Sequence, residues 1–86
     1  MKLNKWNYEK HDYDEIEFDD KYNFKTYSNN MNEIVNCPHC LKEIRYGDSY
    51  TSLEYQTPEC GFGYAVCGDC HEKEFERRKR HEENYI

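Results

Sequence analysis

The sequence predicts a small α+β domain, and three observations lead to that fold class. The chain has 86 residues, which is enough for one domain. Residues 49–55 and 62–66 are rich in aromatic and β-branched residues and flank a turn around Pro58, which predicts two paired strands. No Gly or Pro interrupts residues 69–83, which predicts a C-terminal helix.

The composition leaves this domain short of apolar side chains for a core. Hydrophobic residues make up 36% of the chain and charged residues 35%, and the mean hydropathy is −1.29. A domain of this size buries only about 60% of the surface that its unfolded chain exposes, so its stability is marginal. No apolar run approaches the ~18 residues of a membrane span, so we expect no membrane partner. The net charge of −6 argues against a protein that coats nucleic acid.

Four of the five cysteines form two C-x2-C pairs, Cys37 with Cys40 and Cys67 with Cys70. The thiolates of two such pairs can converge on one ion with tetrahedral geometry. The chain begins without the apolar stretch and cleavage site of a signal peptide, so we expect a cytoplasmic protein, in which paired cysteines bind metal rather than form disulfides. We therefore predict one structural Zn²⁺, whose binding would supply the stability that the core lacks.

Three other side chains near these pairs are alternative ligands. Cys60 precedes Cys67 at the poorer C-x6-C spacing, and His39 and His71 each lie next to a predicted ligand. The sequence leaves open whether one of them replaces a cysteine. A site closed by four thiolates has no position for a substrate, and the chain shows no Ser-His-Asp grouping and no Gly-rich phosphate loop. We therefore expect no enzyme activity.

Two strings carry a resemblance to known families: Cys37-Pro38-His39-Cys40 and Val66-Cys67-Gly68-Asp69-Cys70-His71-Glu72-Lys73. Together they resemble a treble-clef zinc finger, which implies a zinc knuckle, a β-hairpin and a C-terminal helix over residues 37–82. The second string is also similar to the zinc-binding end of HNH endonucleases. That family uses catalytic histidines in the hairpin, and residues 41–66 contain no His, so nuclease activity is not expected. The chain is similar in size and cysteine pairs to Gin-type anti-sigma proteins, which have a shorter interval and no acidic arm.

The first 36 residues are predicted to form an acidic, aromatic arm that precedes a zinc-binding domain of residues 37–86. Seven of the twelve residues from Glu9 to Asp20 are acidic, and the first 27 residues include seven aromatic ones. Apolar residues alternate in 16–18 and in 22–24 around a polar turn, which predicts a β-hairpin at that position. Disordered segments are usually poor in aromatic residues, so we expect this arm to dock on a partner.

The function that we expect is that of a non-enzymatic, zinc-stabilised protein-binding regulator or inhibitor. The abundance of Lys, Asn, Tyr and Ile, which have AT-rich codons, indicates a phage or a low-GC bacterial host. Carboxylates in a row can imitate a nucleic acid and occupy the basic groove of a host enzyme or a sigma factor. The residues expected to contact that partner are Tyr13, Asp14, Glu15, Ile16, Glu17, Phe18, Asp19, Asp20, Tyr22 and Phe24.

The C-terminal helix offers an alternative function. Its basic run can contact phosphates, as in a nucleic-acid-binding zinc finger, through Arg77, Arg78, Lys79 and Arg80. Acidic residues at i,i+4 spacing also allow a solvated helix whose charges pair with one another. Phe75, together with His71 and Arg78, marks the helix face that we expect to point inward. An anti-sigma-like transcription regulator is a further alternative, and the chain can act as a monomer or a homodimer.

Overall fold

The computed structural model describes residues 1–83, which form six strands, a short 3-10 helix and one α-helix. Four strands make an antiparallel sheet in the order β2-β1-β5-β6, and the other two form a separate ladder, β3-β4. The elements are β1 (Lys2–Asn7), β2 (Asp12–Glu17), β3 (Ile34–Asn36), β4 (Glu43–Arg45), the 3-10 helix Tyr46–Asp48, β5 (Tyr50–Gln56), β6 (Gly63–Val66) and α1 (Gly68–Glu83). The α+β class and the two strands and helix predicted after residue 48 are confirmed.

The N-terminal hairpin does not lie where the sequence pattern predicted it. It is formed by β1 and β2, with Trp6 directly opposite Tyr13, and it turns through residues 8–11. Asn7 stabilises that turn, because its side-chain oxygen accepts hydrogen bonds from the N–H groups of Glu9 and Lys10. The prediction that residues 16–18 and 22–24 form the hairpin was therefore wrong. Residues 22–24 are not a strand.

Residues 22–24 instead bring aromatic rings into the core. Phe24 is buried, stacks against Tyr22 and meets Phe18 edge to face. Asn23 lies between Tyr22 and Phe24 in the sequence. Its backbone carbonyl accepts a hydrogen bond from the N–H of Asn36, at the end of β3. The apolar alternation that resembled a strand thus reflects two rings that share one side of an irregular segment.

The main core joins the N-terminal arm to the strands β5 and β6. It contains Leu3 of β1, Phe24, Tyr55 of β5 and Tyr64 of β6, and Leu3 is completely buried. β1 also pairs directly with β5, and β3 pairs with β4, across the predicted boundary at residues 36 and 37. The acidic arm and the cysteine-containing part therefore share one sheet and one core, so aromatic residues from the arm compensate for the scarcity of aliphatic ones.

The buried face of α1 is polar, in contrast to the prediction that Phe75 points inward. Phe75 is 53% exposed, whereas Glu74 is fully buried. Cys70, Glu74 and Arg77 follow one another at i, i+4 and i+7, so they lie on the same side of the helix. That side packs on β5. Among residues 1–83, no helix combines the length and the apolar character needed to cross a membrane.

Candidate metal centre and the buried ion network

The two cysteine pairs come together at one end of the fold. Cys37 and Cys40 belong to the turn between β3 and β4, Cys67 follows β6, and Cys70 lies in the first turn of α1. Their four sulfur atoms all lie within 4.8 Å of one another, and the Sγ atoms of Cys40 and Cys67 are 3.9 Å apart. A tetrahedral zinc site with Zn–S bonds of ~2.3 Å has S–S edges of about 3.8 Å. The four thiols therefore fit one zinc ion.

The backbone of the first pair is folded to aim both sulfur atoms at the same point. The N–H of Leu41 donates to the carbonyl of Cys37, and the N–H of Cys37 donates to the carbonyl of Lys42. Leu41 adopts a φ of 66°, a left-handed conformation that closes the turn. Burial raises the pKa of the Cys37 thiol, although the N–H groups of Cys67, Cys40 and His39 donate to its sulfur and oppose that rise.

The turn around Cys60 repeats this backbone without a second thiol. The N–H of Thr57 donates to the carbonyl of Phe62, the N–H of Gly61 donates to the carbonyl of Thr57, and Gly61 has a φ of 71°. Thr57 occupies the position that corresponds to the first cysteine of a knuckle. Its hydroxyl oxygen accepts hydrogen bonds from the N–H groups of Cys60 and Phe62. Cys60 is exposed and does not belong to the group of four sulfur atoms.

Neither histidine beside the cysteines joins that group. The ring of His71 stacks on Tyr50, with centroids 4.9 Å apart, and meets the exposed ring of Phe75 edge to face. His39 points from the first knuckle into the protein, where its Nε2 atom lies 2.5 Å from Oε2 of Glu74. The three alternative ligands named from the sequence thus lie outside the cluster formed by the two C-x2-C pairs.

Glu74 ties the knuckle to the sheet and to the helix. Besides His39, its carboxylate accepts hydrogen bonds from the hydroxyl of Ser52 at 2.6 Å and from the N–H of Leu53 at 2.7 Å. Burial raises the pKa of the Glu74 carboxyl, but the hydrogen bonds from His39, Ser52 and Leu53 outweigh it, so that the pKa lies below its ordinary value. Glu74 is therefore a buried carboxylate held in its ionised form.

Glu54 is the second buried carboxylate, with only 1% of its surface exposed. Arg77 donates to both of its oxygens, from Nε at 2.8 Å and from Nη2 at 2.7 Å. The hydroxyl of Tyr8, in the turn of the N-terminal hairpin, donates to Oε2 at 2.9 Å. Burial, followed by the bond to Glu54, raises the pKa of Tyr8 far above its ordinary value, so this hydroxyl remains a donor. The network thus extends from the knuckle to the hairpin.

His39, Glu54 and Glu74 form a second group whose ligand atoms lie within 4.8 Å of one another. The carboxylate oxygens of Glu54 and Glu74 already accept hydrogen bonds, and the guanidinium of Arg77 binds both oxygens of Glu54. No buried side-chain polar atom among the described residues is without a partner. We therefore assign these three residues to a buried ion network rather than to a metal site. The sequence offered no signal for it, because acidic residues in an alternating strand and in a charged helix are typical of solvated faces.

The four residues of the basic run 77–80 of α1 have different surroundings. Arg77 is bound to Glu54, and Arg78 forms an exposed ion pair with Glu82 at 3.1 Å. Lys79 and Arg80 are exposed, and no ion pair links them to another residue in the part of the chain that the structure describes. Within the basic run, Arg77 therefore binds a buried carboxylate, whereas Arg78, Lys79 and Arg80 lie on the surface.

The ten residues predicted to contact a partner divide by exposure. Phe24 is buried in the core, and Phe18 and Tyr22 pack against it. Most of the acidic members are exposed and lie on β2 or just after it. Several of them form surface ion pairs: Asp14 with Lys10, Glu15 with Lys2, and Glu17 and Asp20 with the N-terminal ammonium of Met1. Phe18, Tyr22 and Phe24 thus stabilise the fold, and most of the carboxylates lie on the outer surface.

Comparison with known proteins does not assign this chain to a family. No protein-family model, no curated protein and no solved structure matches it.

Proposed function

We propose that this chain is a non-enzymatic, zinc-stabilised protein-binding module of the treble-clef type, and that the free edge of β2 is its contact surface. One observation carries the proposal: the sheet ends at β2 without a covering segment among residues 1–83. The opposite edge is covered, because the N–H of Ala65 in β6 donates to the carbonyl of Lys25. An uncovered edge strand is a ready template for pairing with a strand of another protein.

The hydrogen-bond pattern indicates which backbone groups are available at this edge. Phe18 donates its N–H to the carbonyl of Met1, so alternate residues of β2 point their backbone groups toward β1. The groups of Tyr13, Glu15 and Glu17 then point outward. The N–H of Tyr13 is held by the side chain of Asp12 at 2.7 Å. Glu15 and Glu17 therefore offer the N–H and C=O groups that a partner strand can use.

The side chains at this edge favour a basic partner. Glu15, Glu17, Asp19 and Asp20 are all exposed. The ion pairs that some of them form within the chain are on the surface and contribute little to stability, so cations of a partner can replace them. Such a row supports binding to a protein with a basic groove, such as a nucleic-acid-binding enzyme or a sigma factor, and it would make association fast and sensitive to salt.

The metal centre supports a structural role for zinc. Four thiolates leave no open coordination position for a substrate or a reactive water. Nucleic-acid binding by α1 has weaker support, because Glu54 and Glu82 already bind the guanidinium groups of Arg77 and Arg78.

The test removes one outward N–H without changing the inner ladder. Glu15→Pro deletes a donor at the free edge, where proline is tolerated, and the matched control Glu15→Gln keeps the N–H. Immobilised wild-type protein, incubated with a lysate of a low-GC bacterium, should retain a basic protein that salt releases. We expect Glu15→Pro to retain several-fold less of it and Glu15→Gln to retain nearly as much as the wild type. Circular dichroism of each variant establishes that it is folded. Equal retention by Glu15→Pro would contradict the proposal.

A further inference from the structure

An aromatic pocket of about 470 Å³ lies between the N-terminal hairpin and the last turns of α1. Trp6 and Tyr13, which face each other across β1 and β2, line one side together with His11. Tyr8 and His81 line the other side, where their rings stack on each other with centroids 4.5 Å apart. None of the four clustered cysteines and neither buried carboxylate lines this pocket, and neither the metal nor the pairing proposed at β2 uses it.

The angles between the rings decide the shape of ligand that fits. The plane of Trp6 makes 71° with that of Tyr13 and 84° with that of His11. A flat ligand such as a nucleobase stacks best between parallel faces, and the one parallel pair, Tyr8 with His81, is already stacked on itself. Rings set nearly at right angles instead surround a rounded group, as in the aromatic cages that bind methylated ammonium ions.

The charge around the pocket favours a cation. The protein has a net charge of −6, and the carboxylates of Glu9 and Asp12 are exposed in the adjoining turn and at the start of β2. The one positive side chain on the lining with a fixed charge is Arg78, and Glu82, also on the lining, pairs with it at 3.1 Å. The lining is therefore close to neutral, and its described residues include no unpaired fixed positive charge that would repel a cation.

The hydrogen-bond partners on the lining indicate which kind of cation. The hydroxyl of Tyr8 is directed to Glu54, and the hydroxyl of Tyr13 donates to Oε1 of Gln56 at 2.7 Å. The carboxylate of Glu82 binds Arg78. The two hydroxyls direct their protons into the protein, and Glu82, the carboxylate on the lining, is already paired, so a primary ammonium or a guanidinium meets no unpaired carboxylate among the lining residues. A quaternary ammonium has no N–H to satisfy.

We propose that this pocket binds a quaternary ammonium group, held by the faces of Trp6 and Tyr13. The group can belong to a small molecule or to a trimethylated lysine of another protein, since the recognised chemistry is the same. Because the pocket does not include the outward backbone groups of Glu15 and Glu17, Glu15→Pro should leave ammonium binding unchanged. Failure of one proposal is therefore distinguishable from failure of the other.

The single tryptophan of the chain lines the pocket and reports its occupancy. Choline is titrated into the zinc-bound, full-length protein while Trp6 fluorescence and the NMR signal of its indole N–H are followed. The control ligand is 3,3-dimethylbutan-1-ol, which has the shape of choline without the charge. We expect a saturable response to choline and a response at least about threefold weaker to the alcohol. Equal binding of both ligands, or no saturable change in either signal, would overturn the proposal.

Variants of Tyr13 separate the ring from the hydroxyl. Tyr13→Leu keeps an apolar side chain but removes the aromatic wall, and we expect it to weaken choline binding about two- to fivefold. Tyr13→Phe loses the bond to Gln56 and keeps the ring, so it should bind as the wild type does. Unchanged affinity in a folded Tyr13→Leu protein would refute the role of the cage. A peptide that carries trimethyl-lysine and binds more tightly than choline would identify a protein as the source of the group, whereas equal affinity would indicate a small molecule.

Discussion

Removal of the Arg77 guanidinium should destabilise the whole domain, because Glu54 would remain buried without its counter-ion. Arg77 provides two of the three close hydrogen bonds to this carboxylate, at 2.7 and 2.8 Å. The hydroxyl of Tyr8 would stay, and Nε2 of His39 lies 3.7 Å from Oε1 of Glu54. Breaking a fully buried pair from one side costs roughly 3–5 kcal/mol. The side chain of Arg77 is 38% exposed, so water can reach part of the gap. We therefore expect Arg77→Met to lower the free energy of unfolding by about 2–3 kcal/mol.

The neighbouring arginine is the matched control. Arg78 forms the same type of ion pair on the same helix, but its side chain is 54% exposed and that of Glu82 is 68% exposed. Arg78→Met should change the free energy of unfolding by less than about 0.5 kcal/mol. Urea unfolding, followed by circular dichroism at one fixed excess of zinc, measures both variants. Thermal unfolding should show a fall of roughly 8–20 °C for Arg77→Met. If the two variants lost the same stability, the buried network would not contribute as argued. A double variant that also replaces Glu54 by Gln should recover part of the loss.

Three further predictions concern the metal, the pH response and the core. Native mass spectrometry should find one zinc ion per chain, and chelation of that ion should unfold the domain. The variant Cys40→Ser should lose the ion, whereas the control Cys60→Ser should keep it. The pKa of Glu74 is lowered in the folded state, so its contribution is complete above about pH 4.3 and is lost as the pH falls through the folded pKa. The difference in free energy of unfolding between wild type and Glu74→Gln should accordingly shrink in acid, and a constant difference would refute this. Leu3→Ala should cost about 2–5 kcal/mol in urea unfolding, whereas Ile34→Ala, at a site 51% exposed, should cost a small fraction of that.

The metal centre illustrates what local spacing can determine. In each C-x2-C pair the two sulfur atoms converge because five or six consecutive residues fold into one tight turn, and this depends on nearby residues alone. The strands β5 and β6 and the helix α1 are determined in the same way, by composition and by the turn between them. The similar turn at Cys60 lacks a first cysteine, and the structure places Cys60 outside the cluster, a point that the sequence had left open.

The position of the N-terminal hairpin could not be read from its sequence. The segment 22–24 has the apolar alternation of a strand, yet Phe24 is more stable in the core, against Phe18 and Tyr64. The segment that does form the outer hairpin contains mostly polar residues. It becomes a sheet because Leu3 is buried and because β1 pairs with β5, some fifty residues later in the chain. Tertiary packing thus outweighed the local pattern.

The sequence by itself determined the α+β class, the two C-x2-C pairs and the helix that follows the second pair, because each of these depends on residues close together in the chain. Only the tertiary structure decided which charged residues are buried. Glu54 binds Arg77 over 23 positions and Tyr8 over 46, and Glu74 is buried where Phe75 was expected. A carboxylate is stable in the interior only when donors surround it, and those donors come from four separate segments that meet after the chain has folded.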